Sequence, residues 1–290
     1  IEMRGGTLTI NDDTVSVTAT ADFEEQANGN GSTLLGVAIG ISQHNTNAPV
    51  NVAVGGGTFT ANGNGGYAFY EVDLQDKTTE GVTVALSGGT FNGAVESENM
   101  SGFVSGGEFA NRVPAEYLAE GNKQIYTDGG YVIGTDEELA DYDAVAVVDS
   151  TSVMYTSLAD ALEAAPAGVT VKLLADAELT AAVTLDEAIT FDLNGFDVTS
   201  AVSGSYSIKI IADGVTITDS TDGDSVITAP NIALFVSGGK VTVKNIDIKS
   251  TGSGAAMQVG NAAGSAATLD GVNMTSYDGI YVMGHMDFES

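Results

Sequence analysis

Apolar and polar residues alternate one for one along most of this chain. The runs at 14–19 (Thr-Val-Ser-Val-Thr-Ala), 50–54 (Val-Asn-Val-Ala-Val), 82–86 (Val-Thr-Val-Ala-Leu) and 241–244 (Val-Thr-Val-Lys) put Val, Ala and Leu at alternate positions, with Thr, Ser or Asn between several of them. A period of two in β-branched residues predicts short strands with one buried face. Glycine, Asn and Asp punctuate the runs as turn residues do. The pattern predicts an all-β chain.

Internal repeats narrow the fold. Ile189-Thr190-Phe191, Val215-Thr216-Ile217, Val241-Thr242-Val243 and Ala267-Thr268-Leu269 recur every 26 residues. In the first half the recurring unit is a Gly-Gly pair: Gly5-Gly6-Thr7-Leu8, Gly56-Gly57-Thr58-Phe59, Gly88-Gly89-Thr90-Phe91 and Gly106-Gly107-Glu108-Phe109, with a further copy at Gly238-Gly239-Lys240-Val241. These pairs read as corners at which one strand ends and the next leaves in a new direction, using glycine's access to positive φ. The apolar residue closing each motif then points inward, and the polar stretches 24–32 and 75–80 read as loops. A fixed return of the same strand fits a parallel β-helix, whose coils stack and pile like residues into ladders. A pair of β-sandwiches would need antiparallel hairpins instead.

One segment departs from period two. In 155–166, Leu158, Ala161, Leu162 and Ala165 fall on one helical stripe, Ser157 stands at the N-cap, and Pro166 and Gly168 end the run. A short helix at about 157–166 would cover the open strand edges at the mouth of a second β-helix. Between the two repeat systems, Asp128-Gly129 lies between two apolar-aromatic runs and signals a hairpin. The acidic run Asp136, Glu137, Glu138, Asp141 reads as a solvated linker. The expected organisation is a first β-helix segment at 1–112, a hairpin-containing connector at 113–142, and a second, helix-capped segment at 143–290.

Ser-Gly-Gly-Glu-Phe at 105–109, the Val-Pro-x-x-Tyr…Asp-Gly-Gly-Tyr-Val-Ile block at 113–133, the 157–174 run and Ile-Thr-Phe-Asp-Leu-Asn-Gly at 189–195 resemble the large cell-surface β-helix proteins of Gram-positive gut bacteria. The resemblance covers nearly the whole chain. It implies a right-handed, pectate-lyase-like parallel β-helix solenoid in tandem segments, extracellular and attached to the cell surface, in an adhesin-like role. It brings no defined activity with it. The sequence opens in mid-pattern at Ile1 and stops in mid-pattern at Ser290, which reads as a piece of a longer repeat protein whose neighbours are further β-helix repeats.

Composition then removes whole classes of partner. The 290 residues carry 9 Lys+Arg against 39 Asp+Glu, a formal charge of −30. Such a surface repels nucleic acid and anionic membranes. The absence of Cys removes disulfides, thiol nucleophiles and zinc-thiolate sites. No apolar run is long enough to cross a bilayer as a helix.

Candidate chemistry is sparse. A lyase of the pectate-cleaving kind needs calcium carboxylates beside a basic residue, and the only arginines are Arg4 and Arg112. The nearest approaches to polygalacturonase motifs, Asn11-Asp12-Asp13 and Gly284-His285-Met286, stand at opposite ends of the chain. His44 and His285 are equally far apart. No catalytic set emerges, and no cofactor is implied beyond a calcium ion. For that ion, Asp219, Asp222 and Asp224 place three carboxylates around a glycine turn, which reads either as a cation site or as an acidic turn held by its own hydrogen bonds. Tyr67, Tyr70, Tyr277 and Tyr281 are the candidates for stacking on sugars. Alternation puts Tyr67 and Phe69 on one face and Tyr70 on the other, so that one set is core. The function expected is a non-enzymatic stalk or adhesin segment binding host or dietary glycan or glycoprotein. A polysaccharide lyase or glycoside hydrolase domain is the alternative.

Overall fold

A computed structural model describes residues 1–28, 31–73, 81–221 and 224–283. Among the described residues the chain is all-β with parallel sheets and one α-helix. It divides into two compact units, Ile1–Tyr142 and Asp143–Ser290.

The second unit holds three sets of parallel strands. The first contains Thr170–Leu173, Thr190–Asp192, Asp213–Thr218, Lys240–Lys244 and Ala266–Asp270. The second is Ala177–Leu179, Val198–Ser200, Val226–Ala229, Asp247–Ser250 and Asn273–Thr275. The third is Val183–Leu185, Tyr206–Ile210, Ile232–Val236, Met257–Val259 and Ile280–Val282. The chain visits the three sheets in turn, so each repeat adds one strand to each. The 26-residue period is therefore a pairing register: Thr190 pairs with Thr216, Thr216 with Thr242, and Thr242 with Thr268. Phe191, Ile217 and Val243 form the adjoining buried column.

The helix is Leu158–Ala164, slightly shorter than its sequence pattern suggests. Ser157 caps it by accepting the Asp160 amide at 3.3 Å. Ala165 already has extended backbone (φ −75°, ψ 117°), as the residue before Pro166 must. Its stripe of Leu158, Ala161 and Leu162 is buried, and the helix packs on the strands Ala146–Val148, Val153–Tyr155, Ala177–Leu179 and Val183–Leu185.

In the first unit one parallel sheet holds Gly6–Ile10, Val50–Ala61, Val82–Asn92 and Val104–Phe109, continued by the antiparallel hairpin Lys123–Thr127 and Gly130–Gly134. A second parallel sheet holds Glu2–Met3, Val37–Ile41, Tyr67–Glu71 and Ala94–Ser97. Between them Phe59, Phe91 and Phe109 stack with centroids 5.2 and 4.8 Å apart, and Phe69, Phe103 and Tyr117 follow at 5.4 and 5.1 Å.

Two sequence expectations change here. The Gly-Gly pairs at 56–57, 88–89 and 106–107 are not corners between strands. They are bulges inside continuous strands, where the register slips and then recovers. Gly57, Gly89 and Gly107 take φ of 94°, 94° and 113°, and their backbones nearly touch: a Cβ on Gly88 would stand 2.4 Å from the Gly55 carbonyl oxygen. Gly5-Gly6 and Gly238-Gly239 are corners as expected, joining Glu2–Met3 to Gly6–Ile10 and Ile232–Val236 to Lys240–Lys244. Second, the stretch read as a loop at 24–32 belongs to an antiparallel hairpin, Glu24–Asn28 with Gly31–Leu35, because its polar residues still pair backbone to backbone. The stretch 75–80 lies outside the described residues. The acidic run is exposed at Asp136, Glu137, Glu138 and Asp141 as expected, and within it Thr135 and Glu138 close a capped turn with Leu139 buried behind it.

Candidate functional site

The long sheet of the first unit carries a groove. In its bulged half, Ser16, Thr58, Thr90 and Glu108 stand in register on four neighbouring strands. Two residues further on, Thr18, Thr60 and Asn92 form a second polar row on the same face, tied by the Asn92 amide donating to Thr60 Oγ1 at 3.2 Å. Beside the first row lie the bulge glycines Gly57, Gly89 and Gly107. They have no side chains, so the floor there is bare backbone. The result is a shallow recess of about 480 Å³ lined by Asp13, Thr58, Thr90, Glu108, Val132 and those three glycines. A second recess of about 390 Å³ shares Thr90, Glu108 and Val132, and reaches Asn92, Thr127, Tyr131 and Tyr142.

The polar part of the lining is hydroxyl, amide, carboxylate and backbone, beside the apolar Phe109, Ala110 and Val132, with no Lys, Arg or His. Asp13 leans over the bulge: a Cβ on Gly56 would come within 2.5 Å of its Oδ1. Tyr131 is half-buried. Burial, then the neighbouring Tyr126, push its phenol above the ordinary tyrosine range, while Arg112 opposes the shift.

The residues singled out from sequence fall elsewhere. Tyr67 and Tyr70 share one face, contrary to the alternation, and stack at 4.6 Å. The cause is a bulge at Ala68 against the strand Ala94–Ser97, which rotates Tyr67 away from buried Phe69. Both rings pack edge-on against Phe23 at 4.8 and 5.2 Å, with Leu34, Val37 and Val72 around them. The Tyr70 hydroxyl donates to Glu25 Oε2 at 2.8 Å. Burial, together with Glu25, raises that phenol strongly. The pair seats the hairpin, and both rings stay part-exposed. Tyr277 and Tyr281, in the second unit, are 81 % and 52 % exposed.

Asp219 is 1 % exposed and fully engaged. Its Oδ1 accepts from the amides of Gly195 (3.0 Å) and Thr221 (2.8 Å) and from Thr221 Oγ1 (2.6 Å), and its Oδ2 accepts from Ser225 Oγ (2.8 Å). Burial would raise its pKa, but these donors together outweigh it and hold the carboxyl at about 2. The geometry is that of a turn cap linking adjacent repeats. Asp224 is exposed, and Asp222 lies outside the described residues. Among the described residues no group of three or more His, Asp or Glu converges as a metal site.

No protein-family model, curated protein or solved structure matches this chain. Its chemistry therefore has to be read from its own residues.

The remaining expected sites are local. Asp12 holds a turn by accepting from the amide and hydroxyl of Thr14 at 2.8 and 2.7 Å. Arg4 pairs with Glu2 at 2.6 Å. His44 shares a hydrogen bond with Thr46 at 2.9 Å, and His285 lies outside the described residues. Glu71, 1 % exposed, accepts from Ser97 Oγ at 2.7 Å and the Asn99 amide at 3.0 Å, so it ties down the end of a strand. Sequence reasoning missed the groove residues Thr58, Thr90 and Glu108. Their signal is the variable position of Gly-Gly-x-Phe: where the Phe points inward, the residue before it must face outward.

Proposed function

We propose that both units are segments of a right-handed parallel β-helix solenoid, and that the chain is a stalk or adhesin segment of a secreted, surface-attached protein. It binds glycan or glycoprotein without turning it over. The observation that carries this reading is the three-sheet repeat of the second unit, with one strand per sheet per repeat and ladders held in register. Right-handed crossover is the chirality preference of parallel β connections. Stacked repeats give a rigid lateral face on which many weak polar contacts add through multivalency. The groove supplies hydroxyls, amides and carboxylates of the kind that meet sugar hydroxyls, on a surface with a charge of −30 that keeps anionic polymers away.

A second reading has one observation in its favour: Asp13 and Glu108 line the same recess, and glycoside hydrolases work with paired carboxylates. A glycan array run beside a reducing-sugar release assay separates the two. Retention on the array without sugar release is the expected result. Turnover would replace the adhesin reading with an enzyme, and silence in both assays would overturn glycan recognition.

A further inference from the structure

We infer that the row Thr58–Thr90–Glu108 takes an uncharged, extended β-linked glycan chain laid across the strands. This rests on the glycan-binding reading above and gives it a site and a ligand class.

The first argument is spacing. Thr58, Thr90 and Glu108 stand on consecutive strands, in register. Neighbouring strands lie about 4.8 Å apart, close to the advance of one pyranose ring along an extended β-linked chain. Successive sugars therefore meet successive rungs, each offering an oxygen at an equivalent height. Asn92 and Thr60, already hydrogen-bonded to each other, stand alongside as a second rank. The rungs are held by main-chain pairing, so little ordering remains when a ligand arrives.

The second argument is access. The bulge glycines remove side chains from the strip beside the row, so a flat ring can approach the backbone. The other half of the same sheet also has a polar ladder, Thr7–Asn51–Thr83. There the Thr83 hydroxyl donates to Asn51 Oδ1 at 2.7 Å, and no glycine strip runs beside it. That ladder satisfies itself; the Thr58–Thr90–Glu108 row faces a recess.

The third argument is charge. Asp13 and Glu108 accept hydrogen bonds from sugar hydroxyls, and no lining residue carries a positive charge. A uronate or sulfated chain would set like charges together, so the groove selects against it.

The test is calorimetry on the whole protein with three hexasaccharides: cellohexaose, hexagalacturonate and fully deacetylated chitohexaose. Cellohexaose is expected to bind with little salt dependence, and hexagalacturonate is expected not to bind. Thr90→Val and Glu108→Gln should each weaken cellohexaose about tenfold, while Thr83→Val on the self-satisfied ladder should leave binding unchanged. Glu108 is exposed, so its variant tests the site even if Thr90→Val fails to fold. Cellohexaose binding untouched by both groove variants would overturn the site and leave the glycan reading standing. Equal affinity for hexagalacturonate would overturn the ligand class. Binding of chitohexaose alone, lost as salt is raised, would overturn the proposal in favour of simple charge attraction. Failure of all three would overturn it too, and the array would then judge the broader reading separately.

Discussion

Asp219 and Gly88 show how much depends on single atoms. The folded pKa of Asp219, about 2, is depressed below its ordinary value of 3.8. A depressed carboxylate adds stability that is present above the unfolded value and is lost as pH falls through the folded one. Asp219 should therefore contribute about 2 kcal/mol at neutral pH, disappearing between roughly pH 4 and pH 2. Acid titration of the melting temperature should show this loss, and Asp219→Asn should flatten that part of the curve. Because four donors already occupy the carboxylate, calcium should leave the melting temperature unchanged. Gly88 is fixed by space: a methyl group there meets the Gly55 carbonyl at 2.4 Å, and backbone cannot step aside as a flexible side chain can. Gly88→Ala should cost about 1–3 kcal/mol. At Gly121 no atom lies within 4 Å of an added Cβ, so only its φ of 81° opposes alanine and the loss should be smaller. Thermal melts of the two variants side by side check the difference.

At the scale of the element, ladders and caps do the holding. Phe91 is fully buried between Phe59 and Phe109. Phe91→Ala removes both stacking contacts and leaves a cavity in a column that cannot collapse, because the main-chain register sets the rung spacing. A loss of about 3–5 kcal/mol is expected by denaturant titration. The helix Leu158–Ala164 is too short to persist alone and depends on its packing and its cap. Ser157→Ala should cost about 1 kcal/mol, read as a lower melting temperature of the second unit. These elements were legible to different degrees. The helix could be read from its apolar stripe and its cap, and the 26-residue ladder from its Thr column. The Gly-Gly bulges were misread, because a corner and a bulge use the same residue for the same positive φ; only the pairing partner tells them apart.

For the molecule as a whole, charge is the dominant field. Nine basic residues oppose 39 acidic ones, and the ion pairs at Arg4–Glu2, Lys123–Asp136 and Lys240–Asp213 neutralise little of it. Like charges repel within a compact state and salt screens them over about 10 Å at 0.1 M. Raising sodium chloride should therefore raise the melting temperature. A fall would mean that the attractive pairs outweigh the repulsion. No described helix is long and apolar enough to cross a membrane.

The sequence by itself determined what is local or periodic. Alternation in 50–54 and 241–244 specified strands, Ser157 and Pro166 bounded a helix, and the Thr190–Thr216–Thr242–Thr268 spacing specified which strands would recur. Those signals survive in one dimension because each depends on a residue's own neighbours or on a fixed count along the chain. What only the tertiary structure decided is which residues meet across strands. The bulge at Ala68 brought Tyr67 onto the side of Tyr70 and under the hairpin, and the strand pairings gathered Thr58, Thr90 and Glu108 into one groove from positions 32 and 18 residues apart. Register is a property of two strands at once: a one-residue slip turns every side chain to the other face. No single run of sequence carries that information.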